Sequence, residues 1–180
     1  LLSIAFHPRY RDNGLFFLDY TARDAAGLHT RISRWRHASA ERADPKSETV
    51  LLRSAQPYSN HNGGMITFNR TARPGTPEFG LLYMGIGDGG SGGDPMKLAQ
   101  NLGSAFGKIF RIDPLGKNGR GGKYGVPATN PFLKTADALP EIYAYGIRNA
   151  QRFAWDPRNG AMFMTEMACE EPVMASEAAY

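Results

Sequence analysis

The chain shows almost no long 3.6-residue periodicity; its apolar positions instead fall into short runs of strand type, closed by glycine, proline and asparagine. Three passages share one layout. IAFHP (residues 4–8) leads to GLFFLDY (14–20), ITFNR (66–70) leads to GLLYMGI (80–86), and FAWDP (153–157) leads to GAMFMTE (160–166). Each passage is a short strand with an aromatic, a turn drawn from Asn, Asp, Pro or Arg, a glycine and a second apolar strand. That is one antiparallel hairpin written three times. After the first two come ISRWR (32–36) and KIFRID (108–113), which read as third strands carrying arginines on their polar side.

Small antiparallel sheets that must bury both faces do so by stacking on copies of themselves, so radial repetition is the economical arrangement. The class predicted is therefore all-β, a β-propeller with about three blades present in residues 1–180; an open sandwich with three unrelated hairpins is the alternative. Gly14, Gly80 and Gly160 are widely spaced for compact blades but leave room for four strands and long loops. One short helical turn is expected, around residues 96–101. Residues 116–131, GKNGRGGKYGVPATNP, are too rich in Gly, Pro and Asn for regular structure and read as a long surface excursion.

With 42% hydrophobic and 21% charged residues in 180, the composition is that of a folded globular domain. The chain opens on LLSIAF, already strand-like, which predicts a fragment of a larger propeller. Net charge is +4, and the densest basic cluster, Arg31, Arg34 and Arg36, alternates with Ile32 and Trp35. This spacing fits the exposed side of a strand and argues against a nucleic-acid groove. The lone Cys169 has no internal disulfide partner. No run approaches the ~18 apolar residues that a membrane-spanning helix needs.

Four polar stretches interrupt the strands. In SNHNGGMITF (59–68), His61 stands between asparagines, ahead of two glycines and a strand. An imidazole there is either a proton acceptor for a substrate hydroxyl, approached closely past Gly63 and Gly64, or a surface histidine bonded to its loop. His7, His29 and His37 have no such setting and read as structural or solvated. The loop GDGGSGGDP (87–95) carries Asp88 and Asp94 without the spacing of an EF-hand or the lysine of a phosphate loop. Its aspartates either cap backbone amides or contribute to a calcium site. The excursion at 116–131 is the third stretch. In YGIRNAQRF (145–153), Arg148, Asn149 and Gln151 offer a guanidinium fork and neutral donors for carboxylates or quinone oxygens, or else tie a loop together. Arg152 reads as the structural kind.

Taken in order, IAFHPRYRDNGLFFLDYT, HNGGMITF, GDGGSGGDPMKLAQNLGSAFGKIFRIDP, NPF and PEIYAYGIRNAQRFAWDP resemble successive motifs of the soluble quinoprotein glucose/sorbosone dehydrogenases, the PQQ-dependent aldose sugar dehydrogenases. The resemblance runs from residue 1 to about residue 166. It implies a six-bladed propeller, exported to the periplasm or secreted, that binds pyrroloquinoline quinone with Ca²⁺. Its activity would be oxidation of the C1 hydroxyl of aldoses to lactones, with electrons passed to an external acceptor. By the same resemblance His61 matches the general base, Arg148 and Asn149 match the pair that contacts the quinone, and Gln151 falls in the same motif. Ala150 stands where the family usually has proline.

Other cofactor contacts of the family would fall before Leu1 and after Tyr180, so the chain holds about half a pocket. Residues 167–180 read as a divergent tail: EMACEEPVMASEAAY (166–180) departs from the acidic, glycine-containing stretch that supplies calcium ligands in the family. The register of Glu170 and Glu171 is unsettled, and no metal ligand is carried across. A non-catalytic propeller that binds a glycan or a protein partner is the rival reading.

Overall fold

The computed structural model describes residues 1–166 and 174–175. Among them the chain is all-β with little helix. The first sheet holds β1 (Ser3–Phe6), β2 (Leu15–Asp24), β3 (Gly27–Ser39), β4 (Arg42–Ala43) and β5 (Thr49–Ala55), with both β4 and β5 paired to β3. The second holds β6 (Ile66–Phe68), β7 (Leu82–Ile86), β8 (Lys108–Ile112) and β9 (Ile142–Tyr145). The third is the hairpin of β10 (Ala150–Trp155) and β11 (Met162–Glu166), while β12 (Met174–Ala175) pairs with β9. Among the described residues all strand pairings are antiparallel, and no sheet closes on itself.

The three hairpins read from the sequence are β1–β2, β6–β7 and β10–β11, in registers that set Phe6 opposite Phe16, Phe68 opposite Leu82 and Trp155 opposite Met162. Each starts its own sheet. ISRWR lies within β3 beside β2, and KIFRI is β8 beside β7.

The second sheet is buried on both faces, and strand alternation divides its side chains between two cores. Leu82 and Met84 of β7, with Phe110 and Ile112 of β8, pack toward Phe17 and Ile32 of the first sheet. Tyr83 of β7 and Ile109 of β8 pack toward Phe153, Trp155 and Met164 of the third. This double burial explains why β7 and β8 are covered at every position.

Two local expectations are corrected. Residues 96–101 form turns rather than a helix: Asp94 accepts the amides of Leu98 (3.0 Å) and Ala99 (2.8 Å), and Lys97 has a positive φ of 53°, which a continuing helix excludes. Among the described residues the one short α-helix is instead α1 (Tyr10–Asn13), closed by Gly14 at φ 66°. Arg111 is not on a polar side. It is 4% exposed, lies 4.6 Å from the Tyr143 ring centroid, and donates to Asn130 Oδ1 (2.7 Å) and to Thr129 O (2.5 Å), so it pins the far end of the excursion. The surface excursion at 116–131 is present as read from the sequence, and it is anchored. It holds a single 3₁₀ turn at Arg120–Gly122 and a buried Tyr124 whose hydroxyl donates to Glu141 Oε1 (2.5 Å).

Of the basic cluster, Arg36 is exposed while Arg31 and Arg34 are half-buried; Arg34 donates to Pro114 O at 2.7 Å and so ties the two larger sheets together. His7 and His29 are buried and structural.

Candidate active site

The segment 59–64 lies between β5 and β6, and hydrogen bonds hold its polar collar in place. Asn62 donates to Ser59 O (2.8 Å), Thr30 Oγ1 donates to Asn62 O (3.4 Å), and Asn60 Oδ1 accepts the Ser91 amide (3.2 Å). His61 itself has φ 52°, a left-handed backbone that non-glycine residues seldom adopt, although histidine does so more readily than most. Gly63 has φ 98°, and a methyl group there would come 2.5 Å from Gly85 O, so only glycine brings the collar this close to β7.

The opposing wall is the end of β7. Ile86 leads into Gly87 and Asp88, and backbone bonds fix their position: Asp88 N–H donates to Arg148 O (2.9 Å) and Gly107 N–H donates to Gly87 O (2.9 Å). A side chain at Gly87 would collide with the His61 carbonyl and would lie 2.8 Å from Asn149 Oδ1. Loops from the first, second and third hairpin units therefore meet at one point.

At that point His61 Nδ1 lies 2.8 Å from Asp88 Oδ1, and the Arg148 guanidinium pairs with Asp88 Oδ2. Asp88 Oδ1 also accepts the Gly90 amide (3.0 Å), while Arg148 Nη2 donates to Ser91 O (2.7 Å). The Asp88 side chain is fully buried, and those of His61 and Arg148 are 8% and 14% exposed. With Nδ1–H donating to the carboxylate, the imidazole is held in the tautomer that leaves Nε2 as its basic nitrogen. That nitrogen has no hydrogen-bond partner among the described residues. The arrangement can take a proton from a hydroxyl and stabilise the imidazolium that forms.

The structure thus brings together His61, Arg148 and Asn149 from residues 88 positions apart along the chain. Asn149 is buried beside Gly87, whereas Gln151 lies exposed on β10, its backbone against Gly64. The capping role read for the aspartates is also present, since Asp94 caps Leu98 and Ala99. What sequence reasoning missed is that Asp88 additionally orients His61. The available signal was its place one glycine beyond the apolar strand β7, where a carboxylate is buried and must find partners.

A second omission is Lys108. Its side chain is fully buried and its ammonium donates to the carbonyls of Leu98 (3.0 Å), Ala99 (2.8 Å) and Phe106 (2.5 Å), gathering the loop that follows Asp88. Burial pulls its pKa down to about 8, against the opposing charge of Asp94. Among the described residues no group of three His, Cys, Asp or Glu side chains is arranged to hold a metal ion, and no helix is long and apolar enough to cross a membrane. Residues 167–173 and 176–180, which include Glu170 and Glu171, lie outside the described residues.

The family model for glucose/sorbosone dehydrogenase matches residues 1–171. The HIPL1 protein of Arabidopsis thaliana is 30% identical over 91% of this chain and 29% of its own length. Hedgehog-interacting protein of Homo sapiens is 31% identical over 87% of this chain and 22% of its own length. Aldose sugar dehydrogenase YliI of Escherichia coli is 31% identical over 92% of this chain and 40% of its own. Among solved structures, a putative oxidoreductase (glucose dehydrogenase) from Thermus thermophilus superposes with a TM-score of 0.70 at 33% identity, covering 90% of this chain and 43% of that one. The chain spans less than half the length of each of these proteins.

Proposed function

The chain belongs to the glucose/sorbosone dehydrogenase family, and from that premise we propose that it supplies the base-bearing part of a sugar dehydrogenase that oxidises the C1 hydroxyl of aldoses to lactones. The observation that carries the reading is the His61–Asp88–Arg148 junction, a buried carboxylate shared by an imidazole and a guanidinium at the meeting of three hairpin units. His61 Nε2 takes the hydroxyl proton as the C1 hydride departs. Asp88 keeps the ring in the required tautomer and balances the positive charge it acquires. Arg148, held by Asp88 and Ser91, is placed to meet negative charge developing on an acceptor.

The donor set suits the cofactor that the family implies: a guanidinium, neighbouring carboxamides at Asn149 and Gln151, and an imidazole match a planar tricarboxylate quinone. Pyrroloquinoline quinone, when bound, supplies the two-electron acceptor for the hydride. Arg148, Asn149 and Gln151 would hold it, with His61 beside it. The reading also includes Ca²⁺, to which no described residue is assigned as ligand. A six-bladed propeller with about three blades in residues 1–180, an external electron acceptor and a periplasmic or secreted location complete it.

A second reading rests on the hedgehog-interacting and HIPL relatives: a propeller of this family that binds a glycan or protein partner without redox chemistry. One experiment separates the two. The full-length parent protein is loaded with PQQ and Ca²⁺ and dye reduction is followed over a panel of aldoses. The dehydrogenase reading expects turnover that falls by about 10²-fold or more in His61→Ala, and comparably in Asp88→Asn, where the tautomer is no longer enforced. Quinone binding without turnover, or neither, favours the second reading; turnover that survives His61→Ala removes His61 as the base.

A further inference from the structure

Between the first and second sheets lies a cavity of about 560 Å³ that borders the His61 junction at Asn62 and Ile86 without including His61, Asp88 or Arg148 in its lining. Its apolar lining comes from Ile32 and Leu52 on one side and from Ile86, Phe110 and Tyr124 on the other. Its polar lining is unusual. Asp19, only 1% exposed, presents a carboxyl whose Oδ1 has no hydrogen-bond partner, and Asn62 Oδ1 is likewise buried and unpartnered. Thr30 also lines the cavity, its Oγ1 accepting from the Gln56 amide at 2.7 Å. Buried acceptors without donors are rare in folded proteins and are normally satisfied by something.

The charges narrow what that something is. Arg53 and Arg120 line the same cavity and oppose a cation, while Glu141 opposes an anion. A neutral molecule that brings several hydroxyl donors on an apolar carbon frame satisfies the acceptors and suits the Phe110 and Tyr124 faces. The volume lies within the range of small-molecule sites and has room for a mono- or disaccharide. We propose that this inter-sheet cavity is a binding site for a neutral polyhydroxylated molecule, a sugar or polyol, distinct from the His61 junction. The site goes beyond the dehydrogenase reading and does not depend on it, because nothing in it requires a quinone or a base.

The test uses the full-length parent without added PQQ, titrated with sorbitol, D-glucose and maltose at millimolar concentrations and read by saturation-transfer NMR. Sorbitol is the decisive probe, since it has no C1 hemiacetal hydroxyl for a sugar dehydrogenase to oxidise. Gluconate and glucosamine serve as charged comparisons. Sorbitol binding is expected to weaken about tenfold or more in Asp19→Leu, which removes the acceptor, and in Ser54→Trp, which fills the cavity from β5, and to be unchanged in His61→Ala. Thermal melts confirm that each variant folds, and Ser54→Trp decides the matter should Asp19→Leu fail to do so. The proposal is overturned if no neutral polyol binds, if Ser54→Trp binds sorbitol as well as the parent does, if gluconate or glucosamine binds more tightly than glucose, or if His61→Ala alone abolishes binding. Ordered water as the sole occupant of the cavity in polyol-soaked crystals would also overturn it.

Discussion

Asp19 carries a consequence that a stability measurement reaches independently of any ligand. Burial pushes its carboxyl from the ordinary 3.8 up to about 7 in the folded chain. A raised carboxyl pKa means that the folded state holds a proton the unfolded chain has already released. Stability from this group is therefore intact below about pH 4, declines as pH rises from about 4 to about 7, and is level above that, with a total loss on the order of 4 kcal/mol. Asp19→Asn should consequently melt several degrees higher than the parent near pH 8, with little difference near pH 4; equal melting shifts at both pH values would show that the carboxyl is not buried as described. The same scale shows what residue types alone reveal. His61 stood out by its asparagine and glycine neighbours, but its partner did not, because GDGGSGGDP offers two aspartates that are alike on paper. Only the fold assigns Asp88 to the imidazole and Asp94 to the Leu98 and Ala99 amides.

At the level of elements, the hairpins were legible because alternation and turn residues are local signals, and three similar copies reinforced one another. Arg111 and the stretch 96–101 were not, since each depends on partners elsewhere: the burial of Arg111 is set by Asn130 and Tyr143, and the turns at 96–101 by Asp94 and Lys108. Lys108 acts here as a strut. Replacing it with methionine keeps much of the length but leaves Phe106 O without its donor and takes one of two donors from Leu98 O and from Ala99 O, which keep the amides of Asn101 and Gly146, at about 1–3 kcal/mol for a buried group left unmet. In Lys108→Met the amides of Leu98 and Ala99 should exchange with solvent at least about tenfold faster, while β1–β2 amides keep their protection. Unchanged exchange at residues 98 and 99 would show that the Asp94 cap holds the loop alone.

For the whole molecule, the unpaired surfaces decide behaviour. Leu1, Ile4 and Phe6 on and beside β1 and Phe163 on β11 are 78%, 48%, 53% and 64% exposed, and a second cavity of about 670 Å³ opens along β1 and β6 next to Arg152. Apolar surface of this kind, with strand edges unpaired, favours association. Residues 1–180 expressed alone should elute as oligomers or aggregate on light scattering, and a monomer that melts cooperatively would overturn that expectation. Architecture at this scale was legible in kind, all-β and built from repeated sheets. The cavity between the first two sheets was not, because its lining combines residues from β2 to the segment before β9 that no local pattern connects.

The middle sheet has no side facing water, and β7 is the strand through which both cores pass. Met84 answers to the first sheet and Tyr83, one position earlier, to the third. The same strand runs straight into Gly87 and Asp88. It behaves as a shared rail: a slip at either interface translates Asp88 relative to His61, so the proton-accepting geometry reports the mechanical soundness of two interfaces that lie on opposite sides of one strand.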